Sequence, residues 1–183
     1  MKILIINGTA TSGKDSFVEF AKEGNYEVYN FSTIDYIKEK ALELGWDGRK
    51  DERGRRLLSD LKDALTLYDD IPFKKVVNEI KSVLFQYDQF EQPTDNLIFF
   101  VHSREPVDIQ KWKEFTNART LFLRRPAAED VEHNNHADRN VFDFDYDYVY
   151  SNEGSLNDLR DGAINFVNWI GEKSWESTVD FSI

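Results

Sequence analysis

The stretch Ile3-Leu4-Ile5-Ile6-Asn7-Gly8-Thr9-Ala10-Thr11-Ser12-Gly13-Lys14-Asp15-Ser16-Phe17-Val18 decides how this chain folds. Its consecutive aliphatic residues make a buried strand, Gly8 and Gly13 bound a short loop, and Phe17, Val18 and Ala21 fall at helical spacing behind it. A loop of this kind can turn backbone N–H groups inward around a phosphate. The head of the following helix adds partial positive charge, and Lys14 brings an ammonium to the outer phosphates. Gly8, Thr9, Ala10, Thr11, Ser12, Gly13, Lys14, Asp15 and Ser16 are therefore the candidate nucleotide-binding residues, for a nucleoside triphosphate.

The pattern G-x-x-x-x-G-K-[ST] is met except at its last place, where Asp15 replaces the hydroxyl residue and Ser16 follows. Ordinary P-loops use that hydroxyl on the Mg²⁺ ion bridging the phosphates. A carboxylate also serves a hard cation, so Asp15 is a candidate metal residue. Negative charge so close to a polyphosphate is tolerable when the metal is present. The alternative is a turn-rich strand–helix junction of some other α/β protein.

Working outward, 183 residues suit one domain with room for a substantial core, and 40% hydrophobic with 14% aromatic residues argue against extended disorder. The absence of cysteine excludes disulfides and thiolate metal sites. A formal net charge of −11 argues against a nucleic-acid partner, whose phosphates require clustered Lys and Arg, yet allows a mononucleotide in a local basic cleft. No apolar run reaches the length of a membrane span and no leader pattern opens the chain, so no membrane partner and a cytoplasmic location are expected.

Strand patterns recur at 26–31, 96–101, 118–123 and 146–151, and helical ones at 33–44, 55–68, 73–91, 106–115 and 155–170. Ser32 is the expected cap of the second helix, Pro72 suits a first helical turn, and the charged stretch 46–56 reads as a mobile loop. The uninterrupted run Leu97-Ile98-Phe99-Phe100-Val101 fits a strand buried on both faces. This alternation predicts a three-layer α/β fold, a parallel sheet of about five strands with helices on both faces.

Ligands of such sheets sit beyond the carboxyl ends of the strands. That rule selects the loop 8–16, Ser32 and Asp35, the segment His102-Ser103-Arg104-Glu105, and Arg124-Arg125. Arginines there can hold a phosphate through two parallel hydrogen bonds and neutralise a phosphoryl group in transit. The polar segment 124–145, with Arg124, Arg125 and Arg139, has the size of a lid that would exclude water; the alternative is a solvated loop of surface ion pairs.

Met1-Lys2-Ile3-Leu4-Ile5-Ile6-Asn7-Gly8 with Ser12-Gly13-Lys14-Asp15-Ser16, Phe31-Ser32-Thr33-Ile34-Asp35, Ser103-Arg104-Glu105-Pro106 and Asn134-Asn135-His136-Ala137-Asp138-Arg139-Asn140 together resemble the bacteriophage-type deoxynucleoside monophosphate kinases. These are a branch of the adenylate kinase-like P-loop nucleotide kinases. The resemblance covers the chain to about residue 171, and the Gly-Lys-Asp form of the loop is its most specific element. It implies transfer of the ATP γ-phosphoryl group to a (deoxy)nucleoside monophosphate with Mg²⁺. It also implies one kinase domain over 1–171, with a helical acceptor-binding region at 32–92 and a lid at 124–145. Lys14 would hold the β- and γ-phosphates, Asp15 with Ser16 would lie on the metal side, Ser32, Asp35 and Arg104 would face the acceptor, and Arg104, Arg124 and Arg139 would join Lys14 as catalytic residues. Arg49, Lys50, Arg53, Arg55 and Arg56 are weaker candidates for the acceptor phosphate, since a charge run is commonly a solvated face. The chain departs from the larger adenylate kinases in having no cysteine-rich metal lid and no Asp-Gly-Phe-Pro-Arg segment.

Smaller signals weigh less. His133 and His136 beside Asp138 fall short of a zinc ligand set. His102 suits a structural role, because a phosphate-monoester acceptor needs little general-base help. The Asp143, Asp145, Asp147 alternation lacks a calcium loop's glycine and terminal glutamate and leads instead into an edge strand. Two rivals stay open: a P-loop kinase for another phosphorylated metabolite, and a catalytically silent nucleotide-binding protein. The tail 172–183, with Trp175, Val179 and Phe181, would dock on the body or on a second copy in a homodimer.

Overall fold

The computed structural model of the protein describes residues 1–9, 11–126 and 140–180. In chain order these form β1 (Lys2–Asn7), α1 (Lys14–Ala21), β2 (Glu27–Ser32), α2 (Thr33–Glu43), α3 (Glu52–Asp69), α4 (Ile71–Gln89), β3 (Leu97–His102), α5 (Pro106–Thr116), β4 (Arg119–Arg124), a 3₁₀ turn (Asn140–Phe142), β5 (Tyr148–Ser151) and α6 (Leu156–Gly171). Ala10, the expected lid from 127 to 139 with Arg139, His133 and His136, and Phe181 lie outside the described residues.

The strands form one sheet in the order β2-β3-β1-β4-β5, with β1 parallel to both β3 and β4 and β4 parallel to β5. The most apolar strand is thus central. Ile3 to Ile6 are at most 1% exposed, because β1 is covered on both faces as well as both edges. Period-two alternation divides its side chains: Leu4 and Ile6, with Ile98, Phe100, Leu121 and Leu123, face Phe17 and Val18 of α1 and Leu159, Ala163 and Val167 of α6. Ile109 and Trp112 of α5 are fully buried as well. The fold is the three-layer α/β arrangement the alternation predicts, and β5 is the edge strand into which the aspartate alternation leads.

Local chemistry sets the helix starts. Ser155 and Asp158 make a reciprocal capping box at the head of α6. Asp51 accepts the Gly54 N–H at 2.8 Å and opens α3, so the stretch expected as a loop to residue 56 is already helical from Glu52. Its arginines are compatible with a helix because they all point to solvent. Gly54 is buried where a Cβ would overlap the Arg49 carbonyl oxygen, and the Trp46 indole donates to that same oxygen at 3.2 Å.

The chain divides into two compact units. One comprises 1–30 and 93–180, and the other is the helical stretch 31–92. The helical unit has its own small core, Ile37, Ala41 and Leu58, with Ile34, Tyr36, Trp46, Leu61 and Leu65 packed against it. In the larger unit, Asp147 fastens β5 to β4. Its carboxylate accepts from the Thr120 amide (2.9 Å) and hydroxyl (2.8 Å), from Arg119 (3.1 Å) and from Lys113 (3.2 Å). Burial acts to raise the Asp147 pKa, but the Thr120 hydrogen bonds and the Lys113 charge outweigh it and hold the carboxyl below its ordinary value.

The tail also belongs to the larger unit. Ser177 Oγ accepts the buried Ile3 N–H at 2.9 Å, Ser177 N–H donates to the Met1 carbonyl, and Thr178 N–H donates to the Thr116 carbonyl at 2.9 Å. The pairing of β4 with β1 begins only at Leu4, so the strand's opening backbone needs partners from elsewhere, and the tail supplies them. Trp175 packs against the main core. Among the described residues no helix is long and apolar enough to cross a membrane.

Candidate functional site

The phosphate loop leaves β1 through Gly8, which has φ +154° and lies so close to β4 that a Cβ would overlap the Leu123 carbonyl oxygen. It enters α1 through Gly13, with φ +98°, where a Cβ would stand 2.9 Å from Asn152 Nδ2. Thr11 between them has φ +61°, a left-handed conformation that is strained for a β-branched residue and is characteristic of ligand-binding turns. The N-cap of α1 is Gly13, which has no side chain to cover the head of the helix, and the first amides of α1 have no acceptor within the helix itself.

The Lys14 ammonium donates to the Gly8 carbonyl at 2.6 Å and to the Thr9 carbonyl at 2.8 Å, with a longer contact of 3.4 Å to Ser12 Oγ. It is thereby held over the loop. Not every loop amide faces a guest: Gly8 N–H donates to Asn7 Oδ1 at 2.8 Å and Ser12 N–H to the Thr9 carbonyl at 3.3 Å. The helix-head amides and the Lys14 ammonium are donors that a phosphate could take up. Thr9 Oγ1 and Ser103 Oγ are buried without a hydrogen-bond partner, a condition that costs about 1–3 kcal/mol for each group until something satisfies it.

Two asparagines that the sequence reading passed over brace the loop. Asn152, after β5, donates from Nδ2 to the Ser12 carbonyl at 3.0 Å and from its backbone N–H to the Arg124 carbonyl at 2.8 Å, tying the loop to the end of β4. Asn7, fully buried, donates to the Arg104 carbonyl at 3.1 Å and to Tyr146 Oη at 2.7 Å. An amide ending an otherwise aliphatic strand was a readable signal for Asn7, since such a group is buried only with partners. Nothing in the local sequence marks Asn152. Tyr146 is pushed up to about 12 because burial deprives a phenolate of water, an effect the Asn7 hydrogen bond only partly opposes.

Of the expected catalytic residues, Lys14 opens α1 after β1, Arg104 follows the end of β3 and Arg124 ends β4, so all three stand on the carboxyl side of the sheet. Arg124 directly follows the residue whose carbonyl abuts Gly8, and Arg104 is pinned by its own carbonyl to Asn7. Asp15 is almost wholly exposed, at 97%, with His102 Nδ1 4.0 Å away at the end of β3. Asp15 and Ser16 offer hard oxygen donors, which fits a Mg²⁺ ion whose other ligands come from phosphates and water. Among the described residues no cluster of three His, Asp or Glu could hold a metal without such help. In the helical unit, Ser32 is the N-cap of α2 but makes no side-chain capping bond, and Asp35 pairs with Lys38 at 2.7 Å on its own helix. Arg49, Lys50, Arg53, Arg55 and Arg56 are all exposed. A cleft of about 450 Å³ lined by Lys2, Tyr26, Asp95, Asn96, Asn168 and Glu172 lies at the amino ends of the strands, the wrong end of the sheet for this site.

No protein-family model matches the chain, and no curated protein matches it in sequence. Among solved structures it is similar to a dephospho-CoA kinase from Campylobacter jejuni, with 15% identity, 94% of this chain and 98% of that chain covered, and a TM-score of 0.48. It is similar also to the shikimate kinase of Acinetobacter baumannii, with 13% identity, coverage of 94% and 96%, and a TM-score of 0.46. A third is the APS kinase CysC of Mycobacterium tuberculosis, with 13% identity, coverage of 91% and 96%, and a TM-score of 0.39.

Proposed function

We propose that this protein is an ATP-dependent kinase that transfers a γ-phosphoryl group to a (deoxy)nucleoside monophosphate. The observation that carries the reading is the Lys14 ammonium fastened over the Gly8 and Thr9 carbonyls, at the head of a helix whose N-cap is a glycine. A cation at the positive end of a helix, on a glycine-bounded loop, suits a polyphosphate. Binding alone would need no more. Transfer needs positive charge around the migrating group, and in this reading Arg104 and Arg124, at the carboxyl ends of β3 and β4, supply it.

In this reading the helix-head amides grip the β-phosphate region, and Lys14 shifts from the loop carbonyls onto the more basic phosphate oxygens. Asp15 and Ser16 are the residues that would hold Mg²⁺, which supplies charge neutralisation between the phosphates when bound. Arg124 steadies the phosphoryl group in flight and Arg104 faces the acceptor. The nucleotide class of that acceptor rests on the resemblance of the Ser103-Arg104-Glu105-Pro106 and Phe31-Ser32-Thr33-Ile34-Asp35 segments.

A coupled assay with ATP, Mg²⁺ and a panel of ribo- and deoxyribonucleoside monophosphates tests this. Turnover of a base-specific subset is expected. Turnover with no nucleotide but with another phosphorylated metabolite would overturn the acceptor class, and ATP binding without transfer to any acceptor would overturn the kinase.

A further inference from the structure

Asn7 uses every polar atom of its side chain while fully buried. Oδ1 accepts the first amide of the phosphate loop, Gly8 N–H, at 2.8 Å, and Nδ2 donates both to the Arg104 carbonyl at 3.1 Å and to Tyr146 Oη at 2.7 Å. The Tyr146 hydroxyl, having accepted from Asn7, donates its own proton to the Val141 carbonyl at 2.9 Å. One continuous run of hydrogen bonds thus joins three stretches of backbone that reach the site separately. They are the loop after β1, the turn after β3 that carries Arg104, and the segment 141–146 that leads toward β5.

The run has a single arrangement. Turning the Asn7 carboxamide over would set its NH₂ against the Gly8 N–H and its oxygen against the Arg104 carbonyl, and would leave the one Tyr146 hydroxyl proton to serve either Asn7 or the Val141 carbonyl but not both. The Tyr146 ring cannot swing away freely either. It stacks on Phe122 with centroids 4.9 Å apart, and Phe122 is the residue opposite Asn7 in the β1–β4 register. Phe142 closes on the other side of Phe122, edge-on, at 5.5 Å.

We propose that Asn7 and Tyr146 are positioning residues for phosphoryl transfer: through this run they hold Arg104 and the segment 141–146 at a fixed distance from the first residue of the phosphate loop. The inference rests on the kinase reading above. Phosphoryl transfer depends on cations being in place before the group moves, and a misplacement of about 1 Å can cost about 100-fold in rate. A brace that touches neither nucleotide therefore acts on turnover, and little on the affinity of the loop for ATP.

The test is Tyr146→Phe, which removes one oxygen and keeps the stacked ring. A fall in kcat of about 10- to 100-fold is expected, with the Kd for ATP within about threefold of the parent. Amide hydrogen exchange over 103–105 and 141–146 should quicken by about tenfold or more, while α1 and α6 stay protected. Asn7→Asp keeps the acceptor for Gly8 but loses both donors. Because the two side chains form one unit, Asn7→Asp combined with Tyr146→Phe should be no slower than Asn7→Asp alone.

Unchanged kcat in Tyr146→Phe, in a preparation whose parent turns over, overturns this inference and leaves the kinase intact. So does a multiplicative loss in the double variant, or a fall in ATP affinity as large as the fall in kcat. A parent protein that binds ATP yet phosphorylates nothing overturns the kinase reading and this inference with it.

Discussion

Replacing Lys14 with methionine separates what this side chain does for the fold from what it does for the reaction. Its ammonium makes two short hydrogen bonds to the Gly8 and Thr9 carbonyls and a longer one to Ser12 Oγ, all in a partly buried setting. Water can replace the ammonium at a loop mouth, so their net loss costs about 1–2 kcal/mol rather than the full strength of charge-assisted bonds. For a chain of 183 residues that lowers the melting temperature by about 2–8 °C. In the proposed reaction the same ammonium meets charge that grows on the phosphates. Removing such a group costs about 3–4 kcal/mol, or about 10²- to 10³-fold in kcat. Circular-dichroism melting and the coupled ATP assay on one preparation read both numbers. If Lys14→Met melts within a few degrees of the parent yet keeps kcat within about threefold, the ammonium is not opposite developing charge and the mechanism is refuted.

Three other outcomes follow from the same geometry. Asn152→Ala strands the Ser12 carbonyl, so ATP affinity measured by calorimetry should weaken by about tenfold, equal to about 1.4 kcal/mol, with the β4–β5 pairing kept. Asp147→Asn should cost about 2 kcal/mol near neutral pH by urea unfolding, because Arg119 and Lys113 lose their counter-charge. The Asp147 carboxyl titrates lower folded than unfolded, so its contribution is complete above the ordinary carboxylate range and is lost as pH falls toward the depressed folded value. The gap between parent and variant should therefore close in acid, and a gap that widens there would contradict the assignment. Ser177→Ala deprives the buried Ile3 N–H of its acceptor at the amino end of β1 and should lower stability by about 1–2 kcal/mol while kcat stays unchanged.

The opening strand, loop and helix were legible because each obeys a local rule. Four aliphatics in a row can be satisfied only inside a sheet covered on both faces, and Gly8 and Gly13 stand where positive φ and close backbone approach leave no room for a Cβ. Lys14 was legible for the same reason, since its place one residue after Gly13 fixes it at the helix head. The stretch 46–56 reads as a loop, and the structure keeps it one only as far as Asp51. Its charge density says nothing about backbone, and Asp51 begins a helix whose exposed side simply carries the arginines. Tyr146 read as the start of a strand, although its hydroxyl is bound to Asn7, far away in sequence.

The sequence by itself therefore determined the α/β architecture, the place of the phosphate loop and the cations available to it, because periodicity, turn chemistry and glycine sterics act over a few residues. Only the tertiary structure decided which backbone groups those cations are held against. It also decided that Asn7 and Asn152 brace the loop and that the tail completes β1 through Ser177. These are hydrogen bonds between residues up to 174 positions apart in the chain. A buried donor or acceptor must find a partner, but which partner depends on strand order and register, and no local pattern encodes those.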